Sequence, residues 1–171
     1  GLVENYENCN WLALPCVDGT VQDAVIRDNA YKILLSFLVC LPEKEHKPIL
    51  DEWLTIALVP ESNHNFRDTY SNREKALEAL QLACEKLDTG KFYIIEQWLK
   101  KIGKSVAYAK AFLVVIKLIE KYHYPVNHNE LELIHAIYFE MLDKNYIFIC
   151  KEIIKSSRVF NPTFPLKFKF L

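Results

Sequence analysis

The stretch Ser105–Tyr122, SVAYAKAFLVVIKLIEKY, decides the fold that the sequence predicts. Apolar residues occupy nearly every position, and Lys110, Lys117 and Lys121 form a thin charged stripe at helical spacing. A helix that is apolar on almost all sides is buried on most of them. This one is too short, and too often interrupted by lysine, to span a bilayer. We therefore predict that it is the buried central helix of an all-α domain.

Length and composition favour one packed domain over residues 1–171. The chain has 171 residues, of which 51% are hydrophobic, and this is enough for a sizeable core. It contains only 4 Gly, too few for the turns of a many-stranded β protein. A formal net charge of −1 argues against a nucleic-acid partner held by bulk electrostatics. The chain begins Gly-Leu-Val without Met, so we expect a piece of a longer protein.

The cysteines favour a reducing compartment. Their number, 5, is odd, and no two of them form a C-x-x-C pair. Those inside apolar helical patterns are expected to act as small hydrophobic residues. No signal peptide or membrane segment is recognisable, so we expect the cytoplasm or the nucleus. The cysteines are Cys9, Cys16, Cys40, Cys84 and Cys150.

Periodicity and helix-capping residues predict about seven helices, most of them in antiparallel hairpins. Pro48 is expected in the first turn of its helix, where proline is favoured. Ser71-x-x-Glu74 and Asn129-x-x-Glu132 have the spacing of capping boxes that start two further helices. Residues 61–72 are predicted to be the longest loop. The predicted hairpins are 21–41 with 48–58, 73–88 with 92–102, and 130–142 with 146–156, and the central helix lies among them.

Two apolar segments stand out at the ends of this pattern. The second half of the first helix, ILLSFLVCL over residues 33–41, is predicted to be buried on all sides. The tail 157–171 contains Pro162 and Pro165 and ends in strand-like alternation, so we expect an extended path. Its aromatic residues are expected to lie in a groove of their own domain, or alternatively to insert into a neighbouring chain.

The segment VIRDNAYKILLSFL, residues 25–38, resembles the first part of an armadillo or HEAT-type repeat. In such repeats a charged turn of helix that contains Asn leads into a Leu-rich face. The remaining hairpins are similar only in their rhythm. The resemblance implies an array of helical hairpins that acts as a protein-interaction scaffold without chemistry of its own.

Basic and aromatic residues supply the candidate partner-binding site. Lysines cluster at the end of one predicted helix beside a tryptophan, and further lysines follow on the central helix. Such a combination can bind nucleic acid, but lysines at a helix C-terminus also favour the helix dipole and solubility. We therefore favour a protein partner, a helix or an extended peptide, over nucleic acid. The candidate residues are Trp98, Lys100, Lys101, Lys104, Lys110, Lys117, Phe164, Phe168 and Phe170.

Candidate residues for chemistry are scattered. His123, His128 and His135 lie near Glu130 and Glu132, but their spacing matches no metal-binding helix. None of the arginines is followed four to six residues later by His, the arrangement typical of one class of helical nuclease. We therefore predict no metal, no cofactor and no catalytic residue. The sequence favours a non-enzymatic interaction module of a larger scaffold or regulatory protein, with a nucleic-acid-binding domain or a helical nuclease as the alternatives.

Overall fold

The described residues of the computed structural model, which are 32–58, 66–88, 90–102 and 109–156, form helices joined by short turns. These residues form seven helices and contain no strand, so the predicted all-α fold and helix number are confirmed. The helices are α1 (32–40), α2 (Glu43–Ala57), α3 (Phe66–Lys86), α4 (Gly90–Ile102), α5 (Ala109–Tyr122), α6 (His128–Asp143) and α7 (Ile147–Ser156).

Helix α5 is the buried central helix that its sequence predicts. Lys110, Lys117 and Lys121 are exposed and form its narrow charged side. The buried set covers most of the remaining circumference, as the apolar pattern requires. It consists of Ala109, Ala111, Phe112, Val114, Val115, Ile116, Leu118 and Ile119.

The chain divides into two compact units, Gly1–Ile94 and Ile95–Leu171. In the first unit, α2 packs against α3, and both helices contribute fully buried residues such as Trp53 and Leu80. The start of α4 also contacts α2 there, because the Tyr93 hydroxyl donates to the Asp51 carboxylate at 3.2 Å. The prediction of a single domain over the whole chain stays a prediction, and the tail 157–171 lies outside the described residues.

In the second unit, α7 packs against both α5 and α6. The predicted hairpin between the last two helices is therefore confirmed. Its core includes Ile134, Tyr138 and Met141 from α6, and Cys150 and Ile153 from α7.

Left-handed residues end α5 and α6 and redirect the chain. His123 has a φ of 51° and Asn145 a φ of 62°. After each, an amide bonds back to the last turn of the helix, from Tyr124 to the Ile119 carbonyl and from Tyr146 to the Met141 carbonyl, both at 3.0 Å. This is the Schellman arrangement, which usually has glycine at the left-handed position. Asn tolerates that conformation better than most residues do.

Three of the predicted helix starts are wrong. Pro48 lies inside α2, which begins five residues earlier at Glu43. Helix α3 begins at Phe66, within the segment predicted as a loop, so Ser71 and Glu74 are both interior helical residues. The capping box of α6 uses Asn127 and Glu130 instead of the pair two residues later.

The prediction that residues 33–41 are buried on all sides is also wrong. Leu35 and Leu38 are buried, but Ile33, Phe37 and Val39 are among the exposed large apolar residues of the described chain. This apolar segment is therefore helical, but only part of the circumference of the helix is buried.

Candidate interaction surface

Helix α7 has two apolar sides, and only one of them is buried. Cys150 and Ile153 are 2% and 0% exposed. On the other side, Ile147, Phe148 and Ile154 are 48%, 86% and 42% exposed. Together with two exposed lysines they follow one side of the helix at helical spacing, and we call this set the α7 stripe: Ile147, Phe148, Lys151, Ile154 and Lys155.

The turn before α7 fixes which side faces outward. The Asn145 amide donates to the Leu142 carbonyl at 3.0 Å, and the Tyr146 amide donates to the Met141 carbonyl. These bonds set the direction in which the chain leaves α6. They therefore direct Cys150 and Ile153 into the core and leave the α7 stripe outside.

Of the lysines on and near the α7 stripe, one forms an ion pair and two do not within the described part of the chain. Lys117 of α5 contacts Glu152 of α7 at 3.6 Å, and both side chains are about half exposed, 50% and 57%. By contrast, neither Lys151 nor Lys155 has a carboxylate partner within the described part of the chain. The stripe therefore combines apolar surface with positive charge that no described acidic residue neutralises.

The ionisable groups at the buried side of α7 stay protonated at neutral pH. Burial raises the pKa of the Cys150 thiol, so it stays protonated at neutral pH and is a poor nucleophile. Burial is also the main cause that raises the pKa of Tyr138 to about 12. These residues serve packing, and the functional interest of α7 lies on its exposed side.

A groove of about 240 Å³ lies elsewhere in the second unit, between α4 and the start of α6. It brings together two carboxylates, from Glu96 and Glu130, but each already has partners. Glu96 accepts from Lys100 at 2.7 Å, and Glu130 accepts from the Tyr124 hydroxyl at 2.9 Å. The groove is lined by Glu96, Leu99, Lys100, Asn127, Asn129, Glu130 and Leu133.

The contacts of Glu130 show that this part of the groove is structural. Its side chain accepts from the Asn127 amide at 3.3 Å, and the Asn127 side chain accepts from the Glu130 amide at 2.8 Å. These two bonds complete the capping box that starts α6. Burial and the Glu130 carboxylate raise the pKa of Tyr124 well above its usual value, so its hydroxyl remains a donor at neutral pH.

Among the predicted partner-binding residues that the structure describes, the tryptophan is buried and the lysines lie on the surface. Trp98 is 0% exposed, and its indole Nε1 has no hydrogen-bond partner in the described part of the chain. Lys100 is exposed but contacts Glu96, and Lys101 and Lys110 are exposed as well. Lys117 is also exposed and contacts Glu152, and Lys104, Phe164, Phe168 and Phe170 lie outside the described residues.

The three histidines considered in the sequence analysis lie in three different environments. His123 occupies the left-handed position after α5, and His135 is 3% exposed. His128 contacts Glu132 at 3.3 Å on the exposed surface of α6. Within the described ranges no three His, Cys, Asp or Glu side chains are placed so that they could hold a metal ion.

Sequence reasoning identified α7 but missed its exposed stripe. The signal is present in the segment IFICKEIIKS, where Ile147 and Ile154 lie seven residues apart and Cys150 and Ile153 lie between them. Projected on a helix, these four residues together with Phe148 span more than half of the circumference, which is wider than the apolar stripe of an ordinary surface helix. The sequence does not tell which part of that arc stays uncovered.

Comparisons with protein families, with curated proteins and with solved structures found no match to this chain. Among the helices in the described part, none is long and apolar enough to cross a membrane.

Proposed function

We propose that this chain is a non-enzymatic protein-interaction module that binds its partner through the α7 stripe. The observation that carries the proposal is the exposure of Phe148, 86%, on a helix that has a separate buried side. A single exposed apolar residue is ordinary, but three exposed on one side of a short helix make a largely apolar surface, because the lysines that lie between them also have apolar stems. Surfaces of this kind typically mark interaction sites.

The stripe has the composition of a binding surface. Aromatic residues with large contact areas contribute much of the binding energy at protein interfaces, and Phe148 is available for such a contact. Ile147 and Ile154 add apolar area along one edge of the stripe, and Lys151 and Lys155 lie between this edge and Phe148. The helix is already held against α5 and α6, so little conformational entropy is lost when a partner binds.

The alternative of nucleic-acid binding has weaker support. It depends on basic residues beside an exposed aromatic ring, but Trp98 is buried. Lys100 and Lys117 each contact a carboxylate, which reduces their attraction for phosphate. The alternative of a helical enzyme would need a reactive group in a cleft, and the carboxylates of the groove between α4 and α6 already hold structural contacts.

We further propose that the module is of armadillo or HEAT type and belongs to a larger scaffold or regulatory protein of the cytoplasm or nucleus. The support for this proposal is that α6 and α7 form a helical hairpin, the unit of such repeats, and that this hairpin packs against α5 through α7. The compartment is supported by the thiols of Cys40 and Cys150, which form no disulfide.

A capture experiment tests the interaction function. The immobilised full chain, its Phe148→Asp variant and a Phe92→Asp variant are incubated with cell extract, and retained proteins are identified by mass spectrometry. Phe92 is a matched control because it is also an exposed phenylalanine, 41%, on another helix. We expect proteins that the wild type and Phe92→Asp retain and that Phe148→Asp loses. Identical retention by all three folded proteins contradicts the proposal.

A further inference from the structure

We infer that the α7 stripe docks an acidic amphipathic helix of a partner protein. The inference rests on the proposed interaction function and adds the chemistry of the partner. It follows from the arrangement of apolar and charged residues along one exposed side of α7.

The apolar residues define the shape of the partner. Ile147 and Ile154 are seven residues apart and form one edge of the stripe, and Phe148, about 100° from Ile147 around the helix, forms the other edge. Helix α7 has 10 residues and is therefore about 15 Å long. A helix of similar length, with apolar residues three and four positions apart, can pack against it along its whole length.

The lysines define the charge of the partner. Lys151 and Lys155 are exposed, one turn apart, and without a carboxylate partner in the described part of the chain. Lys100, Lys117 and Lys144, in contrast, contact Glu96, Glu152 and Glu140. A partner helix with Asp or Glu one turn apart, beside its apolar residues, would supply the missing carboxylates.

The same charges disfavour two occupants from this chain. The tail 157–171 contains Arg158, Lys167 and Lys169 and no acidic residue, so it would bring further positive charge to the stripe. A second copy of α7 packed antiparallel would place lysines of one copy near lysines of the other. An anionic membrane would gain only about 1 kcal/mol from each lysine near its surface, which is little for stable attachment.

Fluorescence anisotropy with three labelled peptides tests the inference on the full chain. The first peptide is a helix-forming sequence with Leu at positions i, i+3, i+4 and i+7 and with flanking Glu. The second has Lys in place of every Glu, and the third is the sequence of residues 157–171. We expect the acidic peptide to bind at least about tenfold more tightly than either of the other two, and its binding to weaken as salt is added.

Two variants locate the binding site. Phe148→Ala is expected to weaken binding of the acidic peptide by about tenfold or more, because it removes the largest apolar contact. The double variant Lys151→Glu, Lys155→Glu is expected to reverse the charge preference and to bind the basic peptide more tightly. Circular dichroism confirms that each variant is folded before the titration.

Several results overturn the inference. These are equal binding of the acidic and basic peptides, tighter binding of the 157–171 peptide, or acidic-peptide binding that neither variant changes. No binding of the acidic peptide, combined with lysine-dependent binding to vesicles of phosphatidylserine and phosphatidylcholine, also overturns it. If the peptides fail but Phe148→Asp still loses captured proteins, the partner chemistry is wrong and the interaction function stands. If both experiments fail, both proposals fall.

Discussion

Helices α5 and α7 pack against each other, yet they use their apolar residues differently. Phe112 of α5 is 0% exposed, and Phe148 of α7 is 86% exposed. Both helices are short and rich in branched apolar residues. Neighbouring helices cover α5 on most sides, and α7 on one side only. The comparison teaches that apolar content predicts a helix, while the number of packed neighbours decides how much of that helix is core.

Removing the buried ring of α5 is expected to have the largest effect. Phe112→Ala should lower the free energy of unfolding by about 3–5 kcal/mol, because it loses apolar contacts and leaves a cavity. Urea denaturation followed by circular dichroism measures the change, and Phe112→Leu is the control that keeps most of the volume. A loss below about 1 kcal/mol for Phe112→Ala would show that α5 is peripheral.

The two sides of α7 should differ in thiol reactivity. Cys150 is buried and its raised pKa keeps it protonated, so it reacts only when the structure opens. A Lys151→Cys variant places a thiol on the stripe one residue away. We expect alkylation at neutral pH, mapped by mass spectrometry, to be at least about a hundredfold slower at Cys150 than at the new thiol. Similar rates at the two positions would contradict the assignment of the two sides.

The turn at Asn145 orients α7 on α5, so it offers a smaller test of the same comparison. Asn145→Val should destabilise the protein by about 1–2 kcal/mol, because a β-branched residue is strained at a positive φ. Asn145→Gly keeps the left-handed conformation and should change stability far less. Thermal or urea unfolding of the two variants measures the difference. Equal effects of Val and Gly would show that the left-handed turn is not maintained.

The ion pair between Lys117 of α5 and Glu152 of α7 should contribute least to the free energy of unfolding. Glu152→Gln removes the carboxylate that contacts Lys117, and both side chains are about half in water. We expect the free energy of unfolding to change by no more than about 0.5 kcal/mol. Measurements at low and high salt provide the control. A loss above about 2 kcal/mol would mean that charge, and not apolar packing, holds α7 against α5.

The sequence predicts the buried central helix correctly and several helix starts wrongly, and the two outcomes have different physical reasons. Helix α5 was predicted because its apolar residues leave room only for a narrow lysine stripe. Wrong starts arose where local signals compete: Ser71 and Glu74 have capping-box spacing inside α3, and two overlapping Asn-x-x-Glu pairs precede α6. At α6 the first pair caps the helix, and the Tyr124 hydroxyl also holds its Glu130 carboxylate. This contact joins residues 6 positions apart and depends on the turn between α5 and α6, so the four-residue pattern of a capping box does not contain it.

The candidate surface was harder to predict than the fold. Trp98 and Phe148 are both aromatic residues on helices, and the sequence favoured Trp98 as the binding residue because lysines follow it. The structure buries Trp98 and exposes Phe148. Exposure depends on which helices pack nearby, and helical periodicity alone does not specify those neighbours.

The central claim is that α7 presents apolar surface that the fold itself does not need. The free energy of unfolding of Phe148→Ala, measured by urea denaturation, tests it most directly. A side chain with 86% exposure contributes little to the folded state, so the value should remain within about 0.5 kcal/mol of the wild type. A loss of about 2 kcal/mol or more would show that Phe148 is packed inside the protein, and the α7 stripe would not be a free binding surface.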